Sequence, residues 1–241
     1  LRRRQHPAVT EPEAASSREV LLAGVQEYHD RTADLVRPIM AELAIQQTPQ
    51  HLFITCVDSR VVPNIITASG PGDLFIARNI ANLVPPDGSM VHDDSVAAVI
   101  EYAVSVLKIS TITVCGHSNC GGMAALLAGG DEIEHLSSLS RWLKHGHRSL
   151  ARYLRTEPKP DLTPLATLCQ INVIQQLDNL MTYPWLSKRV EAGELDLVGM
   201  YFDLESATVH VLEPGTEEFR PVGVSDPPKT ENDLLEADRR T

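Results

Sequence analysis

Three short runs rich in β-branched and aromatic residues constrain this chain most: "HLFITCVD" from His51, "DLFIAR" from Asp73 and "TITVCG" from Thr111. Each has the length and composition of a strand. Between the second and third, "DDSVAAVIEYAVSVL" from Asp93 repeats its apolar residues at helical period. "GGMAALLAG" from Gly121 opens a helix just after the third run and stops at Gly129 and Gly130. Strands alternating with helices imply parallel pairing. The fold class expected is α/β, a mainly parallel central sheet flanked by helices. Open sheets of this kind bind ligands beyond the carboxyl ends of their strands, where the first and third runs stop. "CVDSR" at Cys56 and "CGHSNC" at Cys115 are therefore expected to be neighbours in space although far apart in sequence.

The flanking segments are mostly helical. From Ser17 to about Gln46, the positions Val20, Leu21, Val25, Tyr28, Leu35, Ile39 and Leu43 fall near helical spacing, and Pro38 predicts a kink or break between two helices. Residues 133–155 and 165–192 read as further helical segments separated by "TEPKPDLTP", and "LDLVGMYFDL" followed by "ATVHVL" reads as a closing strand or hairpin. The expected organisation is a flexible N-terminal segment over 1–17, one domain over 18–213 and a flexible tail over 214–241. The Leu1 start and the polar tail "SDPPKTENDLLEADRRT" read as those of a piece excised from a longer protein.

With 43% hydrophobic residues in 241, the chain can bury a substantial core. Its net charge of −11 repels phosphate backbones, and its basic residues are scattered apart from Arg2, Arg3 and Arg4, so nucleic acid is not an expected partner. No stretch approaches the roughly 18 uninterrupted apolar residues of a membrane span, and the start lacks a signal-peptide pattern. A soluble, cytoplasmic domain is expected. Four cysteines are too few for a disulfide scaffold, which leaves metal binding or burial.

Cys56, His117 and Cys120 offer two thiolates and an imidazole, the donor set that a borderline-soft ion such as zinc prefers. Three protein ligands leave a fourth position open, and that distinguishes catalytic zinc from structural zinc because a water there is acidified. Two thiolates lower the charge on the metal, so a compensating group is needed. Asp58 and Arg60 share a face with Cys56 on an extended segment. A bidentate Arg60 to Asp58 pair would hold the carboxylate ionised and aimed at the bound water. In the alternative geometry Asp58 ligates zinc itself and closes the site. Taken singly, a cysteine ending a strand is more often packing, and an Asp with an Arg more often a structural ion pair. The convergence of five such residues on one sheet edge gives the ligand reading its weight. Cys115 and Cys169 lack such partners and read as buried thiols.

These residues also carry a family resemblance. "CVDSR" and "GHSNCGG", joined by "PGDLFIARNIANLVPP" and "IEYAVSVLKIS", resemble the β-class carbonic anhydrases from about Gln47 to Val211. The resemblance implies zinc held by Cys56, His117 and Cys120, and an aspartate–arginine dyad at Asp58 and Arg60. It implies a homodimer or dimer of dimers built through exchanged N-terminal helices and an extended sheet. Within the plant-type branch it implies that Gln47 donates a hydrogen bond to substrate and that Phe75, Ile80 and Tyr102 line the pocket of a neighbouring subunit. The branch with an allosteric bicarbonate site carries a tryptophan where this chain has Phe53, so an open site is expected. The chain departs from the family at "HDDSVAAV", which brings Asp93 and Asp94 toward the pocket side, and at Gly70, where relatives often carry Gln or Glu. "TASGPGDLF" is similar to carbonic-anhydrase-like domains attached to sulfate-transporter-type membrane proteins, a resemblance that implies a fusion of that kind.

The expected reaction is the zinc-dependent, reversible hydration of carbon dioxide to bicarbonate and a proton, with His92 read either as a proton relay or as a surface histidine. Hydrolysis of carbonyl sulfide or carbon disulfide on the same site is one rival. A weakly active zinc-binding regulatory domain of a membrane transporter is the other, and the complete set of five site residues argues against it.

Overall fold

The structure is a computed structural model and describes residues 15–89, 94–130 and 134–223. The chain divides into two units, Leu1–Gln47 and Thr48–Thr241. His92 and Asp93 lie outside the described residues.

The first unit contains α1 (Ser17–Arg31) and α2 (Ala33–Leu43). A capping box starts α1: the Ser16 amide donates to Glu19 Oε2 at 2.7 Å, and the Glu19 amide donates to Ser16 Oγ at 3.3 Å. The two expected helices are present, but the break falls at Thr32 and Pro38 sits inside α2. A proline there removes one intrahelical donor, and α2 continues to Leu43 beyond it.

The second unit runs β1 (His51–Cys56), α3 (Pro63–Ile66), β2 (Leu74–Asn79), α4 (Asp94–Glu101), β3 (Thr111–His117) and α5 (Gly121–Leu127). It continues through α6 (Ser137–Leu143), α7 (His147–Tyr153), α8 (Pro164–Leu180), α9 (Pro184–Glu191), β4 (Asp196–Asp203), β5 (Thr208–Leu212) and β6 (Phe219–Pro221). The strands form one sheet in the order β2-β1-β3-β4-β5-β6. The pairings of β1 with β2, β1 with β3 and β3 with β4 are parallel, and the last two pairings are antiparallel. The expected mainly parallel α/β class therefore holds. β1 and β3 lie between other strands and are covered on both faces, which explains their near-continuous apolar runs: Leu52, Ile54, Ile112 and Val114 are all fully buried.

The helical segments are shorter than their periodicity suggested. α6 passes through a 3₁₀ turn at Lys144–Gly146 before α7 begins, and Pro184 opens α9 as its first helical residue. α4 runs directly into a π-helical turn at Tyr102–Val106. The sheet also extends past residue 213, where a tail was expected: β6 pairs with β5 through Leu212↔Phe219 and Val211↔Arg220. A turn with Pro214 and Gly215 at its centre joins them. The Thr216 amide donates to the Glu213 carbonyl at 3.1 Å, and Gly215 has φ +75°, the left-handed value that such a turn demands of its third residue. A three-residue strand is too short to show alternation, so its only signal in the sequence is this Pro-Gly pair. Among the described residues no helix is long and apolar enough to cross a membrane.

Candidate metal centre

Cys56 ends β1, His117 ends β3, and Cys120 stands at the N-terminal boundary of α5. The register of the two parallel strands, Thr55 opposite Cys115, puts these carboxyl ends side by side. The two sulfurs and an imidazole nitrogen lie within 4.8 Å of one another, and all three residues are buried. Asn119 turns the connection back with φ +54°. Gly122 lets α5 approach closely, since a Cβ there would lie 2.9 Å from the Ala81 Cβ.

The imidazole is prepared as a ligand. His117 Nδ1 lies 2.8 Å from the Ser118 carbonyl, which can only accept, so Nδ1 carries the proton and Nε2 presents its lone pair. Nε2 is buried without a hydrogen-bond partner. An orphaned acceptor beside two sulfurs fits a soft divalent cation, because burial without a partner is otherwise costly. The sulfurs point the same way. A hydrogen bond from Cys120 holds the Cys56 thiol well below the usual thiol range against the opposing effect of burial, with help from His117 and the amides of Asp58 and Ala81. Cys120 is driven up by that same neighbour and by burial. The pair favours one thiolate on its own, and a cation is what stabilises a second. The Ala81 amide donates to Cys56 Sγ at 3.3 Å.

Beside this set, Arg60 grips Asp58 through Nε to Oδ1 at 2.9 Å and Nη2 to Oδ2 at 2.8 Å, while its own amide donates to Oδ1 at 3.0 Å. Asp58 Oδ2 lies 3.9 Å from His117 Nε2. The Arg60 side-chain hydrogen bond holds the Asp58 carboxyl far below the usual carboxylate range, against a smaller opposing effect of burial. Arg60 Nη2 also reaches the Asn119 carbonyl at 3.2 Å, tying the "CVDSR" loop to the "GHSNC" loop.

Of the other residues singled out from sequence, Phe75 and Tyr102 stack with ring centroids 5.9 Å apart. Ile80 lines a cavity of about 620 Å³ with Ile76, Arg78 and Trp142. Gln47 is the last residue of the first unit. Phe53 is buried in a cluster with Val61, Cys115 and Phe202. Cys115 and Cys169 are buried, and burial pushes each thiol up to about 12.

Sequence reasoning missed the supports behind the site. Ala81 and Asn82 adopt left-handed backbone at φ +66° and +47°, and α8 holds that strand-to-loop segment with amide side chains. Asn172 Nδ2 donates to the Ala81 carbonyl at 3.0 Å, Gln176 Oε1 accepts from the Val84 amide at 2.8 Å, and Asn179 Nδ2 donates to the Val84 carbonyl at 2.8 Å. Their spacing at i, i+4 and i+7, which puts three buried amide side chains on one face of α8, was the available signal.

A buried pair of cysteine sulfurs with an imidazole, set at the carboxyl edge of a mainly parallel sheet beside an ionised aspartate, is the donor set of a catalytic-type zinc centre. Comparison with known proteins gives the family. The carbonic anhydrase family model matches residues 51–209. A carbonic anhydrase from Pseudomonas aeruginosa is 39% identical over 181 residues, covering 75% of this chain and 81% of the relative. Among solved structures, the β-carbonic anhydrase CcaA superposes with a TM-score of 0.77 at 35% identity, covering 86% of this chain and all of CcaA. A tetrameric β-carbonic anhydrase from Sordaria macrospora gives 0.65 at 28% identity, covering 86% of this chain and 98% of that one. The chain belongs to the β-class carbonic anhydrases, zinc enzymes whose standard reaction is the hydration of carbon dioxide.

Proposed function

We propose that this chain hydrates carbon dioxide reversibly to bicarbonate and a proton, with Cys56, His117 and Cys120 holding zinc and Asp58 orienting the nucleophile. The observation that carries the reading is the buried Cys-His-Cys set with an Arg60-bound Asp58 carboxylate beside its imidazole. Zinc held by Cys56, His117 and Cys120 would supply the Lewis acidity that makes hydroxide available near neutral pH. Asp58, ionised and fixed by Arg60, is placed to accept a hydrogen bond from the nucleophile and so to orient it toward the carbon of substrate. Gln47 is assigned the hydrogen bond to a substrate oxygen, and Phe75, Ile80 and Tyr102 the apolar wall, on the strength of the family resemblance. The stacking of Phe75 on Tyr102 supports a common role for those two.

The same assignment makes the enzyme a homodimer or a dimer of dimers, because those wall residues serve the neighbouring subunit's site. The tetrameric state of the Sordaria macrospora relative supports an assembly of this kind. A cytoplasmic location is our reading from the absence of an apolar span in the sequence, and attachment to a transporter rests on "TASGPGDLF" alone.

Stopped-flow hydration across pH, on protein of measured zinc content and sedimentation state, tests the assignment. Zinc-dependent turnover of carbon dioxide by a dimer or larger assembly is expected. Faster hydrolysis of carbonyl sulfide or carbon disulfide would move the substrate, and stoichiometric zinc without turnover of any of the three would move the chain to a binding role.

A further inference from the structure

β1 leaves the sheet at its carboxyl end. The last ladder bond there is the Val57 amide to the Asn79 carbonyl at 3.0 Å, and beyond it the loop carrying Asp58 and Arg60 has no strand to pair with. Arg78, one residue from the end of β2 and opposite Thr55 in the register, takes over that role with its side chain. Its Nε donates to the Cys56 carbonyl at 3.0 Å, and its Nη2 donates to the carbonyls of Asp58 at 2.8 Å and Val61 at 2.9 Å. Among the described residues no carboxylate forms an ion pair with Arg78, so its planar set of donors is directed at main-chain oxygens.

Two guanidiniums therefore address one aspartate residue. Arg60 holds the Asp58 carboxylate, and Arg78 holds the Asp58 main chain. The loop's own bonds are the Val61 amide to the Asp58 carbonyl at 3.1 Å, which closes one turn, the Arg60 amide to Asp58 Oδ1 at 3.0 Å and Arg60 Nη2 to the Asn119 carbonyl at 3.2 Å; none of them ties the turn to β2. A planar fork that spans three carbonyls fixes where the turn sits relative to the end of β2, and with it the reach of the Asp58 side chain toward His117.

We infer that Arg78 is a positioning residue for the hydration reaction, setting the place of Asp58 by binding the carbonyls of Cys56, Asp58 and Val61. The inference rests on the reading of Asp58 as the group that orients the nucleophile. Lysine cannot reproduce the fork, since a single ammonium cannot keep three donors in one plane aimed at three separated carbonyls. Neither does alanine at position 58 disturb the contact, because Arg78 binds the main chain there and not the carboxylate.

The test is a double-mutant cycle on the zinc-loaded enzyme, with kcat/KM for carbon dioxide and hydrogen–deuterium exchange of the peptide spanning residues 57–62 as its two readouts. Arg78→Ala and Arg78→Lys are expected to lose about 10- to 100-fold in kcat/KM when Asp58 is present, and less than about 2-fold in the Asp58→Ala background, where there is no carboxylate left to misplace. Exchange in residues 57–62 is expected to speed up in both Arg78 variants. Equal fold-losses in the two backgrounds, or unchanged exchange, would overturn the inference; Arg78→Lys keeps the cycle usable if Arg78→Ala fails to fold. If Asp58→Ala alone keeps wild-type turnover, the reading of Asp58 fails, and the exchange measurement still decides whether Arg78 holds the loop.

Discussion

Arg60 holds both carboxylate oxygens of Asp58, at 2.9 Å and 2.8 Å, and Asp58 Oδ2 stands 3.9 Å from the unpartnered Nε2 of His117. Of the two geometries open to this sequence, the structure has Asp58 paired with Arg60, a geometry in which its carboxylate stays beside the ligand set. The depressed carboxyl pKa fixes the sign of its pH dependence. The stabilisation from this pairing is fully present above the ordinary value of 3.8 and is lost only as pH falls through the lowered one. Asp58 is thus ionised throughout the neutral range, and a change in rate there has another origin.

Replacing Asp58 with alanine should leave zinc bound and remove most of the hydration activity, about 100-fold or more by comparison with other groups that handle a proton in the transition state. Metal analysis alongside stopped-flow rates checks both halves. In the native enzyme the rate should rise with pH through a single ionisation; acid inactivation steeper than one proton allows would show Asp58 leaving Arg60 for the metal.

Cys120→Ala should lose zinc, because a methyl group cannot replace a thiolate and the remaining pair, Cys56 and His117, cannot fill a tetrahedral site. About one zinc per chain is expected in the native protein, and stoichiometric metal retained in Cys120→Ala would remove Cys120 from the site.

The ligands were legible in the sequence because their chemistry is local: each sits where an apolar strand run stops, and side-chain type plus strand-end position is enough to bring Cys56, His117 and Cys120 together. What lies behind them was not legible. Ala81 reaches Cys56 through its backbone amide, and its left-handed backbone has no signature in an alanine. No motif in the sequence singles out Arg78, and only the register with Thr55 shows that its fork meets the end of β1. β6 was lost to the tail because three residues cannot display a period. Pro38 misled in the other direction, since propensity treats proline as a break and α2 absorbs it.

Gly116, between Cys115 and His117 on β3, faces α8. A Cβ there would come 2.7 Å from the Val173 Cγ2 and 3.3 Å from the Cys169 carbonyl. The first distance is too short for any real contact, and a valine methyl beside the backbone has little room to retreat. Gly116→Ala should therefore destabilise the fold by about 1–3 kcal/mol, the usual cost of overpacking. Because the displaced strand carries His117, zinc affinity should fall as well. Denaturant unfolding and competition with a chelator measure the two effects, and an unchanged midpoint would show that α8 yields freely at Val173.

Cys115 supplies the last test. It is fully buried next to Phe53, Val61 and Phe202, and burial raises its thiol from an ordinary 9.0 to about 12. The folded protein keeps this proton while the unfolded chain releases it once pH passes 9. The stabilisation is therefore complete below 9 and is lost progressively as pH climbs toward 12. Cys115→Ala removes that titration at the cost of a small cavity. The variant should be less stable than the native protein at pH 8, and the difference should shrink by about 2 kcal/mol at pH 10.5, the free energy of ionising one unfolded thiol 1.5 units above its ordinary pKa. Urea unfolding of both proteins at the two pH values, with zinc content held equal, reads this directly. Cys169→Ala should narrow the gap in the same direction, since that thiol is raised to about 12 by the same cause. A gap that stays constant from pH 8 to 10.5 would mean that the folded protein lets Cys115 ionise as readily as the unfolded chain does.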